Sequence, residues 1–293
     1  MAFDVKAFFD PATSTATYLV WDAATGEAAV IDPVLDYEPR AAKISTASAD
    51  AILAAMADRR LTLTWILETH AHADHLSAAD HLRRATGAKV AIGEKITEVQ
   101  DRFRTVFGAQ DVVPDGRAFD RLVADRDELM LGATSIKVMH TPGHTPACVT
   151  YLIGDAAFVG DTLFMPDYGT ARADFPGGDA AALYRSIRRI LSLPPQTRIF
   201  VGHDYLPEGR DRPAWETTVA AERARNVHIH DGVSESEFVT FRNARDATLA
   251  PPMLILPSLQ VNIRAGALPP PEADGRVYLK LPVVADASDR PAP

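Results

Sequence analysis

The first hundred residues alternate short apolar runs, typical of β-strands, with stretches in which apolar residues recur at helical spacing. The apolar runs predict strands at 17–21, 28–31, 61–67 and 90–92. The helical spacing predicts helices at 48–59 and 76–86. The turn-forming pair Thr25-Gly26 joins the first two strands, which are therefore predicted to form a β-hairpin.

The second half of the chain repeats this rhythm. Apolar runs predict strands at 121–123, 135–139, 149–153, 157–159 and 199–201. A helix over 180–191 is capped by Asp179, and a capping box formed by Ser234 and Glu237 opens a helix that runs to about residue 249. Each half is rich in strands and closed by helices. We therefore predict an αββα sandwich, in which two mixed β-sheets pack face to face with helices on their outer faces.

The C-terminal part of the chain is rich in proline and apolar residues. Its prolines predict that no regular helix forms there, and they are Pro251, Pro252, Pro257, Pro269, Pro270 and Pro271. We expect an ordered extension that wraps the body, with residues 287–293 frayed. The predicted organisation is a catalytic domain over 1–232 and a C-terminal helix and extension over 233–293 packed on the same domain.

Composition narrows the class of protein. The 293 residues are 47% hydrophobic and 24% charged, as in soluble globular proteins, and the formal charge of −9 argues against nucleic acid or an anionic membrane as a partner. The single cysteine, Cys148, excludes an internal disulfide and is expected to be a small buried hydrophobe. Without a predicted targeting or membrane-spanning segment, a cytoplasmic protein is expected.

Candidate chemistry is concentrated in one histidine-rich loop. Three of the nine histidines, His70, His72 and His75, share a loop with Asp74 at the junction between a predicted buried strand and a helix. Imidazole and carboxylate are ligands of zinc, iron and manganese. The alternative is a helix N-terminus at which Asp74 complements the helix dipole and the histidines are merely exposed.

Three further ligand-type residues, His144, Asp161 and His203, each come soon after an apolar strand. A glycine stands next to each of them, which lets the backbone turn tightly and brings the side chains close together. Four such motifs at strand ends predict a metal site.

The order of these residues resembles the pattern of the metallo-β-lactamase superfamily, which is HxHxDH followed by a histidine, an aspartate and a histidine. The fold of that superfamily agrees with the predicted sandwich. The resemblance implies, for a dinuclear member, two metals bridged by Asp161. It assigns the other ligands as His70, His72 and His144 for one metal and Asp74, His75 and His203 for the second.

Within that superfamily, the surroundings are similar to those of the persulfide dioxygenases and their bacterial sulfide-oxidation relatives. The matching segments are 144–151, 161–164, 172–175 and 202–205. The resemblance implies one Fe(II) per chain held by His70, His144 and Asp161, with open positions for O2 and a thiol. It implies a glutathione-dependent persulfide dioxygenase that oxidises the terminal sulfur of glutathione persulfide with O2 to give sulfite and thiol.

Three residues are predicted to act around the metal. Arg172 would supply a cation at the mouth of the site, because an anionic thiol must approach an acidic protein. Tyr205 is either a core aromatic or a hydroxyl donor above the metal. Asp74 and Tyr205 are the candidate catalytic residues. His140 is expected to have a structural role, and the remaining histidines are expected at the surface, namely His81, His228 and His230.

Rival functions use the same residues. The nearest is a dinuclear zinc hydrolase of thioesters or lactones, similar to glyoxalase II, although the chain lacks that family's cysteine-glycine loop and basic C-terminal helix. A non-catalytic sensor of metal or persulfide is a rival of another class. Residues 165–171 are two residues longer than in animal-type persulfide dioxygenases, which leaves the thiol carrier open. A homodimer is compatible with the sequence, which does not specify the oligomeric state.

Overall fold

Two six-stranded β-sheets form the centre of the protein, whose computed structural model describes residues 3–284. In the first sheet the strands lie in the order β1-β2-β3-β6-β8-β9. Their bounds are β1 Phe3–Asp10, β2 Thr15–Asp22, β3 Glu27–Ile31, β6 Thr62–Leu67, β8 Lys89–Gly93 and β9 Arg121–Val123. The predicted hairpin is present, since β2 pairs antiparallel with β3. The strands β3, β6, β8 and β9 pair parallel with one another in that order.

The second sheet contains the strands of the second half in sequence order, β10 to β15. Their bounds are β10 Glu128–Leu131, β11 Thr134–His140, β12 Val149–Ile153, β13 Ala156–Gly160, β14 Arg198–Val201 and β15 Glu216–Thr218. Neighbouring strands pair antiparallel except β13 and β14, which are parallel. The sheet is therefore mixed, as predicted.

Helices and a small third sheet complete the fold. The helices are α1 Ala47–Arg59, α2 Ala79–Thr86, α3 Ile96–Phe107, α4 Ala180–Ile190, α5 Val219–Arg225, α6 Glu235–Asp246 and α7 Ile255–Asn262. The small sheet has the order β5-β4-β7, with bounds β4 Val34–Glu38, β5 Lys43–Ser45 and β7 Leu76–Ser77.

Three hydrophobic clusters define the layers. One lies between the sheets, where Tyr18 and Leu67 of the first sheet meet Tyr151 and Phe158 of the second. A second joins the other face of the first sheet to α1, α2, α3 and α7. A third joins the other face of the second sheet to α4 and α6. This confirms the predicted αββα sandwich.

Two predictions of local structure are wrong. The helix predicted over 76–86 begins only at Ala79, because Leu76–Ser77 pairs with β4 as a short strand. The proline-rich segment contains helix α7, because Pro257 lies in its first turn, where a missing backbone N–H costs no helical hydrogen bond. The predicted cap at Asp179 and the capping box of Ser234 and Glu237 are both present.

Within residues 3–284, no helix is both long and apolar enough to cross a membrane. The predicted fraying of 287–293 concerns residues outside this range. The division of the chain at residues 232 and 233 stays a prediction.

A buried carboxyl group lies at the edge of the second sheet. Glu222 of α5 is fully buried, and its Oε2 accepts a hydrogen bond of 2.7 Å from Asn226 Nδ2. Its Oε1 has no hydrogen-bond partner among the described residues. Burial therefore raises the pKa of Glu222 to about 8.

This pKa makes the stability depend on pH. The native state binds the Glu222 proton more tightly than the unfolded state does. The contribution of Glu222 to the free energy of unfolding is therefore most favourable below about pH 4, and it declines as the pH rises to about 8. The slope approaches about 1.4 kcal/mol per pH unit. We expect the free energy of unfolding of Glu222→Gln to increase relative to that of the wild type as the pH rises through this window. Urea denaturation at several pH values measures the difference.

The exposed Glu272 offers a matched control, and Glu272→Gln should track the wild type at every pH. A difference between Glu222→Gln and the wild type that is independent of pH would contradict the assignment.

Candidate metal centre

The predicted ligands meet at one edge of the sandwich, where strands from both sheets end. The ligand loop, residues 70–75, follows β6, while Asp161 directly follows β13 and His203 follows β14. Gly160, with φ of +51°, turns the chain there, and a Cβ on it would lie 2.3 Å from Thr69 Oγ1. Glycine is thus required where the end of β13 approaches the ligand loop.

A first ligand set consists of His70, His144 and Asp161, whose ligand atoms all lie within 4.8 Å of one another. The Nε2 atoms of His70 and His144 lie 3.9 and 3.7 Å from Asp161 Oδ2. All three side chains are buried. These separations exceed a hydrogen bond, so the three atoms face a shared space without bonding to one another.

A second ligand set consists of His72, Asp74, His75 and His203, again within 4.8 Å. Asp74 Oδ2 lies 3.1 Å from His203 Nε2 and 3.7 Å from His75 Nδ1. His203 Nε2 is also 3.3 Å from Asp161 Oδ1, so Asp161 lies between the two sets.

His72 has carboxylate neighbours outside both sets. Its Nε2 lies 3.0 Å from Asp32 Oδ1 and 3.5 Å from Glu68 Oε2. Burial lowers the pKa of His72, but Asp32 and Glu68 outweigh it and raise the pKa well above the usual value. The resemblance grouped His72 with His70 and His144, whereas in the structure it shares a set with Asp74, His75 and His203.

Hydrogen bonds fix the tautomers of two rings in the first set. Thr69 Oγ1 donates to Asp32 Oδ2 over 2.8 Å, so its oxygen accepts from His70 Nδ1 at 3.0 Å. The Nδ1 of His144 donates to the carbonyl of Arg172 over 2.8 Å. In both rings the Nε2 lone pair is left free to face the shared space.

Several buried polar atoms of the centre lack a hydrogen-bond partner within the described residues. They are His70 Nε2, His72 Nδ1 and Nε2, Asp74 Oδ2, His75 Nε2, Asp161 Oδ1 and His203 Nε2. The carboxylate oxygens near His72 Nε2 and His203 Nε2 lie close enough for a hydrogen bond but outside its angular range. Burial and the neighbouring imidazoles lower the pKa of His70 well below its usual value, which keeps that ring neutral. Unpaired buried imidazole and carboxylate atoms that converge on one space fit a bound metal ion.

A cavity of about 560 Å³ opens above these residues. Arg172, Tyr205 and Arg245 line it. The guanidinium of Arg172 is already paired, because it donates two hydrogen bonds to Asp174, at 2.5 and 2.7 Å, and one to the carbonyl of Ala250. Arg245 is exposed and forms no ion pair with the described residues, so it is the unpaired cation at this mouth.

Tyr205 is both half-exposed to the cavity and stacked on a ligand. Its ring centroid lies 5.6 Å from that of His203, with an interplanar angle of 16°. Tyr168 and Phe164 pack on its other sides. The ring therefore packs on a ligand and lines the cavity, and the role of its hydroxyl as a donor above the metal stays a prediction.

One histidine prediction is wrong. His228 is not a surface residue but half-buried, and its Nδ1 accepts a hydrogen bond from the backbone N–H of Thr170. Burial, together with Arg242 and Arg245, lowers its pKa to about 4. His140 lies outside both ligand sets and bonds the carbonyl of Pro146, in keeping with a structural role.

Sequence reasoning missed the residues that surround the ligands. Asp32 directly follows β3 and Glu68 directly follows β6, and both carboxylates turn into the centre beside His72. Asn262 of α7 bonds the ligand loop from the C-terminal segment. The available signal was a charged residue directly after an apolar strand at both Asp32 and Glu68.

Comparison with known proteins identifies the class. Residues 10–203 match the metallo-beta-lactamase superfamily, and the chain belongs to this superfamily.

Individual relatives of this chain have different names. A probable metallo-hydrolase of Burkholderia pseudomallei is 56% identical, with 95% of this chain and 98% of the relative covered. The chain spans 64% of the length of a beta-lactamase hydrolase-like protein of Agrobacterium fabrum, which is 52% identical over 95% of this chain. The human mitochondrial persulfide dioxygenase ETHE1 is 30% identical, with 91% of this chain and 90% of that protein covered. The crystal structure of ETHE1 from Myxococcus xanthus superposes with a TM-score of 0.71 at 34% identity, with 91% and 100% covered.

Metal binding should stabilise this centre measurably. At a free Zn²⁺ concentration a hundred times Kd, the gain in the free energy of unfolding is about 2.7 kcal/mol, which for a chain of this length is a rise in Tm of about 4 °C. Asp161→Ala should reduce the rise, because Asp161 contacts both ligand sets. The exposed His230 supplies the control, and an equal Zn²⁺-induced rise in Asp161→Ala and His230→Ala, measured by calorimetry, would exclude this site.

Proposed function

We propose that the protein is a persulfide dioxygenase that binds one Fe(II) through His70, His144 and Asp161 and acts on glutathione persulfide. The observation that carries the proposal is the first ligand set, two imidazoles and one carboxylate whose ligand atoms all lie within 4.8 Å of one another. Two histidines and one carboxylate are typical of non-haem iron oxygenases. The full-length similarity to ETHE1 proteins supports the same reaction.

The proposed reaction consumes one persulfide, one O2 and one water. The terminal sulfur is oxidised and gains both oxygen atoms of O2, the S–S bond breaks, and water supplies the third oxygen of sulfite. The carrier leaves as a free thiol. Iron(II), when bound, supplies the redox chemistry that lets O2 react with sulfur.

The residues of the chain provide orientation in this proposal. The carbonyl of Arg172 and the Thr69 hydroxyl hold His144 and His70 with their Nε2 atoms toward the ion. Tyr205 and Asp74 line the cavity, and we propose that they contact the bound persulfide. The apolar surface of the cavity, which includes Phe164 and Leu254, limits the access of water to the sulfur.

The mouth of the cavity suits an anionic carrier. Glutathione has two carboxylates and one ammonium, and it must approach a chain with a formal charge of −9. Arg245 forms no ion pair with any residue in the described range 3–284, while Arg172 is held by Asp174. We therefore propose that Arg245 shares with Arg172 the binding of the carrier carboxylates.

Oxygen uptake tests the reaction directly. With the Fe(II) protein in an oxygen electrode, we expect uptake with glutathione persulfide, no uptake with glutathione, and one sulfite formed for each O2. Lactoylglutathione should release negligible thiol. Thiol release from lactoylglutathione without persulfide-dependent uptake would contradict the proposal.

Metal stoichiometry provides the control. Protein purified anaerobically with iron available should contain one iron per chain. His70→Ala, His144→Ala and Asp161→Ala should lose it, whereas His203→Ala, outside the first ligand set, should keep most of it. Two tightly bound zinc ions under these conditions would favour a hydrolase.

The carrier site predicts a change in KM. Arg245→Ala should raise KM for glutathione persulfide about fivefold with kcat nearly unchanged, because an exposed charge contact contributes on the order of 1 kcal/mol and is made equally in the ground and transition states. Arg172→Ala should raise KM as well, since it leaves Asp174 unpaired beside the anion. Iron content should not change in either variant.

Arg225 is a matched control, because it is exposed and lies on α5 outside this cavity. Steady-state kinetics in which Arg245→Ala and Arg225→Ala both keep the wild-type KM would show that the carrier is held elsewhere or is not glutathione.

A second candidate function is a dinuclear metal hydrolase. The specific observation in its favour is the second ligand set, which supplies enough imidazole and carboxylate atoms for another ion. The probable metallo-hydrolase of Burkholderia pseudomallei is consistent with it in name. In this alternative two metals, bridged by Asp161, would activate water for attack on a carbonyl.

A further inference from the structure

The ligand loop lacks backbone hydrogen bonds of its own. It runs from the end of β6 to β7 without regular structure, although it carries four ligand-type side chains. Within residues 3–284, the backbone atoms of 70–75 form no hydrogen bond with another backbone group. The loop must therefore be held by side chains.

One side chain meets this need from far along the sequence. Asn262, the last residue of α7, donates from Nδ2 to the carbonyls of His72 and His75, both over 2.8 Å. Its Oδ1 accepts from the backbone N–H of Ser77, also over 2.8 Å. A single amide thus ties together both the middle and the end of the loop and the strand that follows it.

The amide is itself held rigidly. Asn262 is 4% exposed, and its neighbours in α7, Leu259 and Val261, lie in the core with no exposure. Gly266, with φ of +82°, approaches so closely that a Cβ on it would lie 2.8 Å from the carbonyl oxygen of Ser77. The C-terminal segment is therefore packed against the ligand loop at Asn262 and, at Gly266, against the β7–α2 segment that follows the loop.

We infer that Asn262 is a positioning residue of the metal centre, which fixes the backbone at His72 and His75 and so sets the spacing of their rings and of Asp74. The C-terminal helix is thereby part of the metal site, although it contributes no ligand. The inference rests on the metal centre proposed above but on neither candidate reaction, because it concerns only the spacing of the ligands.

Gln260 offers a matched control in the same helix. It is 2% exposed, and its Nε2 donates to the carbonyls of Leu256 and Lys280 while its Oε1 accepts from the N–H of Lys280. It has the same kind of buried amide as Asn262 and the same number of bonds. Its bonds hold the C-terminal extension, not the ligand loop.

The test measures Co²⁺ binding to metal-free protein by competition with a chelator, together with the visible d–d absorption of the bound ion. Asn262→Ala should bind Co²⁺ about 10- to 100-fold more weakly than wild type, the range expected for loss of a group that orients ligands. Its d–d bands should shift, because the ligand geometry changes. Gln260→Ala should keep the wild-type affinity and spectrum even if its Tm falls as much.

Two further variants keep the test decisive. Asn262→Asp retains the acceptor for Ser77 but lacks both donors, so it should resemble Asn262→Ala. Asn262→Ser, which keeps one donor, should give intermediate affinity and replaces Asn262→Ala if that variant does not fold.

Wild-type affinity and spectrum in Asn262→Asp and Asn262→Ser, or equal weakening in Gln260→Ala, would overturn the inference. Failure of the wild type to bind Co²⁺ would instead overturn the metal centre itself.

Discussion

The structure depends on the burial of imidazoles and carboxylates at one end of two packed sheets. His70, His72, His75 and His203 are each 1% exposed or less, and Asp161 is 6% exposed. Buried polar atoms without partners are costly, and here several converge on one space. The burial of apolar side chains around them offsets this cost. These apolar layers are the inter-sheet core and the helices on either side. The fold therefore carries a locally unfavourable site that a metal ion would relieve.

A shell of hydrogen bonds leaves one available nitrogen on each of two ligand rings, His70 and His144. Asp32 holds Thr69, and Thr69 in turn orients His70, so the end of β3 controls a ring that follows β6. His203 is fixed from the other direction, by the bridge between Thr15 and its backbone. Because Thr15 begins β2 while Asp32 and Thr69 come soon after β3 and β6, the geometry of these ligands follows from the register of three strands of the first sheet.

Much of this fold could be predicted from the sequence, and the reasons for the exceptions are physical. Apolar runs identified most strands of both sheets, and glycines beside His144, Asp161 and His203 indicated tight turns that bring ligands together. Helix α3, Ile96–Phe107, was not predicted. Helix α7 was excluded because proline was read as a breaker without its position in the first turn. The bond from Asn262 to His72 spans 190 residues, and no periodicity or local motif encodes such a contact.

The segment that follows Asp161 both orients a ligand and lines the mouth of the cavity. The backbone carbonyl of Arg172 orients His144, while its side chain, paired with Asp174, lies at the mouth of the cavity. The same segment is attached to the helical layer, since Arg242 donates to the carbonyl of Thr170 and Asp246 accepts from the N–H of Ala173. A change in the length of residues 165–171 would therefore alter the shape of the mouth, but these anchors would resist movement of the carbonyl that holds His144. Access to the centre can thus vary while the orientation of its ligands is kept.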